Sequence, residues 1–301
     1  MKRLVTLTAV FFAASLASAG DYGYSGKEVS YSTDLDWKGD FEVSLGHTFL
    51  HGNALGSSNS EADDYWQADF TLQLGRFLDE DTFFQFDLEL DRVLGNEAND
   101  SLATGGLLAA HLMKRSQEGG LGAFGGFLVT DQDPGVTETS ERYFFGLEGH
   151  DYNPSSTHFV QVGFFGGENG NDDFGEDSIH DAFFGRVGVR KYLNDSLSLQ
   201  AEIFGATGQM DEDETDASVI GFALVGEKQL TDRSTLSLGY SQSRFRQEEG
   251  RIPDIINDHY LFVSFKHLFD EGSLISRDRS STSLDLPQLI RWSALTAGPL
   301  E

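Results

Sequence analysis

The chain has 301 residues, no cysteine, 49 acidic residues and 21 basic residues, so its formal net charge at pH 7 is −28. Without cysteine it has neither a disulfide framework nor a thiolate metal site, and the negative charge argues against nucleic acid as a partner. No segment approaches about 18 consecutive apolar residues beyond the N-terminal region, which excludes a bundle of membrane-spanning helices.

The N-terminus has the pattern of a secretory signal peptide. Lys2 and Arg3 precede an apolar run over residues 4–16, and the small residues of 17–19 follow. The run is shorter than the roughly 20 residues that a spanning helix needs. We therefore predict that residues 1–19 are a signal peptide, cleaved after Ala19, and that the mature chain is exported.

Apolar and polar residues alternate in about twelve segments from residue 41 onward. In the segment TFFQFDLELD, residues 82–91, the apolar side chains share one parity and three carboxylates share the other. A period of two indicates a β-strand. Most segments approach or exceed the roughly 9 to 11 residues of a tilted transmembrane strand. The predicted strands are 41–50, 65–75, 82–92, 104–113, 120–130, 141–149, 157–166, 181–192, 196–206, 217–229, 234–245 and 258–269.

The connections between these segments alternate in length and composition. Those after the odd-numbered segments are mostly about ten residues or more, and they are rich in Asp, Glu, Asn, Gly and Ser. Those after the even-numbered segments are shorter, and three of them share a basic residue, a Leu two places on and then an acidic residue, at Arg76, Lys191 and Lys228. Long loops on one side and short turns on the other are typical of an up-and-down membrane barrel.

The apolar parity of the strands fits a surface that faces lipid. It carries no charge in the middle of the segments, where a lipid-facing Arg or Lys would cost roughly 2–4 kcal/mol. Aromatic residues near the segment ends predict a girdle at the membrane interface, although ordinary strand-end aromatics are an alternative. These residues are Tyr65, Trp66, Tyr143, Tyr192, Tyr240 and Tyr260.

With these features the chain resembles a Gram-negative outer-membrane β-barrel of the porin-like kind, over residues 41–269. The resemblance implies an all-β fold, a transmembrane up-and-down antiparallel barrel of about 12 strands, in contact with outer-membrane lipid and lipopolysaccharide. It also implies insertion by the barrel-assembly machinery, and a homo-oligomer is compatible with it. Such barrels commonly end their last strand with a phenylalanine. Phe269 resembles that signal, although about 32 residues follow it.

Two flanking segments leave alternatives open. Residues 20–40 are a periplasmic segment or an extension of the first strand, and the alternation over 28–37 also allows an additional strand. Residues 270–301 are a C-terminal tail that forms a periplasmic arm, folds back into the lumen as a plug, or is loosely ordered.

The polar parity predicts the charges of the lumen. Carboxylates lie on strands one to three, and arginines lie on strands six and eight, which face them in a twelve-strand barrel. Opposed charges across a narrow pore create a transverse field that admits small hydrophilic solutes, and the excess of carboxylates predicts a preference for cations. Alternatively, the same residues pair and fill the barrel. The predicted acidic wall is Glu42, Asp69, Asp87, Glu89 and Asp91, and the predicted basic wall is Arg142, Arg186 and Arg190.

The competing functional class is a narrow closed barrel that acts as a lipid- or peptide-hydrolysing enzyme, or as a surface-binding or structural protein. An esterase site of the kind found in some barrels needs a His two residues before a Ser, and no histidine has one. His180 and Asp181 are the best candidates at the rim, but adjacent strand residues point to opposite faces. We predict a non-enzyme without a cofactor or a specific metal site.

Overall fold

The computed structural model describes residues 35–52, 63–94, 104–131, 139–168, 180–210, 215–247, 254–282 and 285–295. In this part of the chain twelve antiparallel strands close into one barrel, in which each strand pairs with its neighbours in sequence and β1 pairs with β12. The strands are β1 (Lys38–Gly52), β2 (Asp63–Phe77), β3 (Thr82–Leu94), β4 (Thr104–Arg115), β5 (Gly119–Asp131), β6 (Thr139–Asn153), β7 (Ser156–Glu168), β8 (His180–Asn194), β9 (Leu197–Met210), β10 (Thr215–Thr231), β11 (Ser234–Gln247) and β12 (Asp254–Leu268).

Two short helices follow the barrel, α1 (Leu274–Ser280) and α2 (Leu289–Leu295). Neither helix of the described residues has the length and apolar composition needed to cross a membrane. The predicted fold, an all-β up-and-down barrel of about twelve strands, is confirmed. The predicted signal peptide and residues 28–34 lie outside the described residues.

The two ends of the barrel differ in their connections. At one end, which we call the turn end, the strands are joined by residues 78–81, 116–118, 154–155, 195–196 and 232–233. At the other end, the loop end, the connections span 53–62, 95–103, 132–138, 169–179, 211–214 and 248–253, all outside the described residues. Most of the strands extend beyond their predicted bounds, because ladder pairing continues past the predicted apolar alternation. Several loop-end connections are therefore shorter than the ten residues expected.

Side chains close the tight turns by local hydrogen bonds. In the turn after β2, the Asp79 carboxylate accepts hydrogen bonds from the backbone N–H groups of Asp81 at 3.0 Å and Thr82 at 2.8 Å. These bonds hold the pKa of Asp79 below its ordinary value. In the turn after β8, the Asn194 side chain accepts from the Ser196 N–H at 2.9 Å. Asp and Asn favour turns because their side chains reach the backbone two or three residues on.

The outward face of the barrel is apolar and exposed, as a lipid-facing surface requires. Large side chains such as Phe127, Phe183 and Leu261 point away from the lumen. The predicted aromatic girdle is only partly correct. Trp66 and Tyr143 are exposed on the outer face, but other members of the set, Tyr192 and Tyr260, are buried inside the barrel at 1% and 4% exposure.

The chain after β12 enters the barrel. Helix α1 lies at the turn end, where the Leu274 N–H donates to the backbone oxygen of Asp195 at 3.1 Å. Helix α2 lies in the loop half, where Ile290 packs against Gly105 at the start of β4. We call residues 270–282 and 285–295 the lumen tail. At the other flank, β1 begins at Lys38 and pairs directly with β12 and β2, and residues 35–37 form no strand.

Candidate functional site

The inner wall of the barrel has an apolar region that the alternation of polar residues did not predict. It lies in the middle and loop half of β4 to β12, and its side chains form one buried cluster. Part of this region has a signal in the sequence, because β6, β7 and β8 each carry two adjacent phenylalanines and one member of each pair must face the lumen. In the pair on β8, Phe183 is 68% exposed and Phe184 only 4%. The inward phenylalanines of β5 to β9 are Phe124, Phe144, Phe165, Phe184 and Phe204.

Helix α2 packs its apolar side chains against this region. Trp292 is 2% exposed, and its ring centroid lies 5.5 Å from that of Phe204, in a stacked arrangement, and 6.4 Å from that of Phe184. Leu289 and Ile290 are buried in the same cluster. Burial of side chains of this size contributes roughly 1.5–3 kcal/mol each. The apolar wall therefore holds α2 in the loop half of the lumen.

Polar groups of the wall bind the backbone of the lumen tail. Lys38 Nζ donates to the backbone oxygen of Ser280 at 3.0 Å, and Arg115 Nη1 donates to that of Ser281 at 2.7 Å. Gln161 Nε2 donates to the backbone oxygen of Asp285 at 3.1 Å, and Arg186 donates to the same oxygen. These contacts satisfy backbone carbonyl groups of the lumen tail, which at Ser280 and Ser281 is buried.

Two carboxylates of the lumen tail, Asp278 and Asp285, pair with the wall. Arg190 Nη1 lies 2.7 Å from Asp278 Oδ1, and Thr157 Oγ1 donates to the other oxygen of Asp278. Arg190 Nη2 lies 3.5 Å from Asp285 Oδ2. Burial by itself would raise the pKa of Asp278, but the charge of Arg190 and the Thr157 hydroxyl offset this and hold that pKa below its ordinary value.

Arg291 of α2 makes the most extensive polar contact between the lumen tail and the wall. Its Nε donates to Asp258 Oδ2 at 2.8 Å, and its Nη2 donates to Asp258 Oδ1 at 2.7 Å. Its Nη1 donates to Gln67 Oε1 at 2.6 Å, and Nη2 also donates to Thr48 Oγ1 at 3.0 Å. The guanidinium carbon lies 4.2 Å from the ring centroid of Tyr260.

Four residues of the predicted acidic wall border one cavity. The cavity has a volume of about 130 Å³ and lies between β12, β1, β2 and β3 and the lumen tail, which contributes Gln288 and Arg291. The carboxylates at its edge are Glu42, Asp69, Glu89 and Asp91. Lys266 Nζ lies 3.1 Å from Glu42 Oε2. The cavity is large enough for several water molecules, since one water needs roughly 10–15 Å³ of volume accessible to its centre.

The fifth predicted acidic residue, Asp87, belongs to a different group. His111 Nε2 lies 2.9 Å from Asp87 Oδ2, and His111 Nδ1 lies 3.0 Å from Glu148 Oε1. Gln161 Nε2 donates to the other oxygen of Glu148 at 3.1 Å, and Arg186 Nε donates to Gln161 Oε1 at 2.7 Å. A chain of polar contacts therefore runs along the wall from β3 to β8.

The predicted basic residues separate into two groups. Arg186 and Arg190 contact the lumen tail, as described above, and Arg186 Nη1 also lies 3.5 Å from Glu202 Oε2. Arg142 lies apart from them, buried in the loop half of β6. The lumen tail thus lies against both predicted walls, so that in this state they do not face each other across open water.

Several residues of the lumen site were not predicted from the sequence. His111 and Asp258 lie on the inward parity of β4 and β12, so the parity rule applied to every strand would have found them. The contacts of Asp278, Asp285 and Arg291 had no local signal in the sequence. Among the described residues, no three His, Asp or Glu side chains are placed to hold a metal ion.

No protein-family model matches the chain, and no curated protein matches it significantly. Among solved structures, an outer membrane channel from Pseudomonas putida F1 matches with a TM-score of 0.56 and 15% identity, over 82% of this chain and 100% of that chain. A Pseudomonas aeruginosa FadL homologue matches with a TM-score of 0.46 and 8% identity, over 78% and 90% of the two chains. The translocator domain of the autotransporter NalP from Neisseria meningitidis gives 0.43 and 12%, over 88% and 97%.

The last two TM-scores are too low to support an inference. At 15% identity, the first similarity shows a shared fold. Together with the closed twelve-strand sheet and its exposed apolar outer face, it defines this chain as an outer-membrane β-barrel by fold.

Proposed function

We propose that the protein is an outer-membrane channel for small hydrophilic solutes, with a preference for cations, and that the lumen tail closes it in the state described here. The observation that supports this proposal is that the lumen is filled by the lumen tail and not by side chains of the wall alone. The tail is a segment that follows the last strand, and it takes no part in the strand pairing that closes the barrel. The tail can therefore leave the lumen without breaking the barrel wall.

The size of the barrel supports a pore. Barrels of about eight strands have interiors just wide enough for wall side chains to fill, and the diameter grows with strand number. Here the wall alone does not fill the interior, because both α1 and α2 are accommodated within it. The similar structure from Pseudomonas putida F1 is described as an outer membrane channel, which agrees with this proposal.

The cation preference rests on the acidic cavity. Carboxylates on three adjacent strands border it, and Arg291 is the cation that the lumen tail contributes. When the tail leaves, that compensating charge leaves as well. The negative potential of this side of the lumen then increases and attracts cations. We further propose that the protein lies in the outer membrane of a Gram-negative bacterium, surrounded by lipid and lipopolysaccharide.

A disulfide that locks the lumen tail to the wall tests the proposal. A Cβ atom at Gly105 would lie 3.5 Å from the Cβ of Ile290, within the range for disulfide-linked cysteines. The chain has no cysteine of its own, so Gly105→Cys with Ile290→Cys creates a single defined pair. Each single cysteine variant serves as a control.

Planar-bilayer recordings of the double variant should show few openings when it is oxidised and discrete, cation-selective openings after reduction. The single variants should not respond to the reductant. Equal conductance of the oxidised and reduced double variant, with the disulfide verified by mass, would contradict closure by the tail. The absence of channel events in every variant would contradict the channel itself, and would favour a closed barrel with a binding or structural role.

A further inference from the structure

We propose that the lumen contains a preformed binding site for a guanidinium group, which Arg291 occupies in the closed state. Solutes that carry a guanidinium group, such as arginine-containing peptides, are bound there once the tail leaves. The transport of such solutes rests on the proposed channel function, whereas the binding site does not. The site is formed by Asp258, Gln67, Thr48 and Tyr260.

The contacts of Arg291 match the shape of a guanidinium group. Asp258 receives two parallel hydrogen bonds, from Nε and Nη2, which is the fork-to-fork geometry that an ammonium group cannot form. Gln67 accepts from Nη1, so that all three nitrogens of the group have a partner on the wall. The guanidinium carbon lies over the Tyr260 ring, 4.2 Å from its centroid, where the ring attracts a cation.

Wall residues orient this site independently of the lumen tail. Asp69 Oδ1 accepts a hydrogen bond from Gln67 Nε2 at 2.7 Å, so the amide oxygen of Gln67 is the atom directed to the guanidinium. Asp69 Oδ2 accepts from the Tyr260 hydroxyl at 2.7 Å and from Ser44 Oγ at 2.6 Å. The acidic-wall residue Asp69 therefore acts as a positioning residue for Gln67 and Tyr260. None of these three hydrogen bonds involves the lumen tail, so none of them is lost when Arg291 is removed.

The surroundings favour a cationic ligand. The cavity of about 130 Å³ adjoins Arg291 and is bordered by Glu89 and Asp91 in addition to Asp69. Asp258 is 2% exposed with the tail in place, so if the tail stays bound but lacks the Arg291 side chain, this carboxylate remains in the lumen wall without its charged partner. Removing one partner of a buried ion pair is unfavourable, and another cation of the same shape can replace it. The ligand class that fits is thus a guanidinium rather than any cation.

The full-length Arg291→Ala variant tests the site, because the other contacts of the lumen tail remain. The probe is ethylguanidinium, titrated by calorimetry in detergent, with ethylammonium as the comparison cation. We expect the variant to bind ethylguanidinium and the wild-type protein not to bind it at this site. The matched control is Arg279→Ala, which removes the same charge from the tail at the turn end, where Arg279 donates to the backbone oxygen of Asn153.

A second variant assigns the binding to the wall. Adding Asp258→Asn to Arg291→Ala should weaken ethylguanidinium binding by about tenfold or more, because hydrogen bonds to a charged group contribute that much. Ethylammonium should bind to Arg291→Ala more weakly than ethylguanidinium. Equal binding by the wild-type protein and Arg291→Ala, or by Arg291→Ala with and without Asp258→Asn, would overturn the proposal.

If Arg291→Ala does not fold, refolding is repeated with each cation present. Recovery with ethylguanidinium but not with ethylammonium supports the site, and equal yields with and without the two cations overturn it. Conductance is recorded separately on the same variants. Binding without conductance would support the guanidinium site and contradict the proposed channel. Conductance without binding would support the channel and contradict the proposed site.

Discussion

Two adjacent glycines at the start of β4 allow the closure of the lumen to be tested by a glycine-to-alanine substitution, which adds a single methyl group. A Cβ at Gly105 would lie 2.3 Å from Ile290 Cγ2, and the next nearest atoms also belong to Ile290. A Cβ at Gly106, on the opposite face of the strand, would lie 3.5 Å from Leu90, which is an ordinary contact. Gly105→Ala therefore disturbs α2, and Gly106→Ala is its matched control.

The magnitude follows from the stiffness of the contact. Ile290 is β-branched, so its Cγ2 cannot move aside without displacing α2 or changing a restricted side-chain rotamer. Overpacking of this kind costs typically about 1–3 kcal/mol. The effect of alanine on the unfolded chain is the same at both positions and cancels in the comparison. The ratio of released to bound tail should therefore rise about 5- to 150-fold in Gly105→Ala.

The assay is the fraction of time that single channels are open in planar bilayers, measured for the wild-type protein and both variants. Gly105→Ala should open more often than the other two, and Gly106→Ala should match the wild-type protein. Trp292 lies in the displaced helix, so its fluorescence should shift in Gly105→Ala as the indole becomes hydrated. Equal open fractions and equal fluorescence in both variants would refute the idea that α2 closes the lumen.

Three further predictions concern the wall and the tail. Leu261→Arg, in the middle of the lipid face at 48% exposure, should lower the free energy of unfolding in vesicles by roughly 2–4 kcal/mol, while Leu78→Arg in a turn should not. His111→Ala leaves two buried carboxylates without their shared partner and should cost about 3–5 kcal/mol in urea unfolding, unlike His158→Ala, whose ion pair is exposed. Because the pKa of Asp278 is lowered, its contact stabilises the bound tail above the ordinary aspartate range and is lost as the pH falls through the lowered value. Loss of the Asp278 contact should therefore raise the open probability as the pH is lowered below about 4, in recordings made above and below this value.

The sequence alone was sufficient to predict the barrel, because strand alternation is a local property. In TFFQFDLELD the side chains of residues 82–91 must point to alternate faces wherever the strand lies. The alternation of long and short connections between strands is also visible along the chain, and it indicated that consecutive strands run up and down the barrel. The same local rule placed Leu261 and Phe183 on the outer face, where the structure has them.

The lumen was less predictable, because its contacts join residues that are distant in the sequence. Asp87 was expected to face an arginine or a solute, but the closed sheet places it beside His111 on the neighbouring strand. Tyr192 lies near the end of β8, whereas Tyr260 lies near the middle of β12, and the parity of both residues turns them inward, away from the membrane interface. Proximity to a strand end, without the parity of each residue, is insufficient to assign a lipid-facing aromatic.

The tertiary structure alone decided the path of the tail and therefore what fills the lumen. Arg291 meets Thr48 and Gln67 across more than 220 positions of the sequence, and no local pattern in residues 270–301 specifies that docking. The inner surface that receives the tail exists only when β12 pairs with β1 and the sheet closes. The sequence by itself thus determined a barrel with a polar lumen, whereas the closed sheet determined what the lumen contains, because that requires residues from opposite ends of the chain to meet.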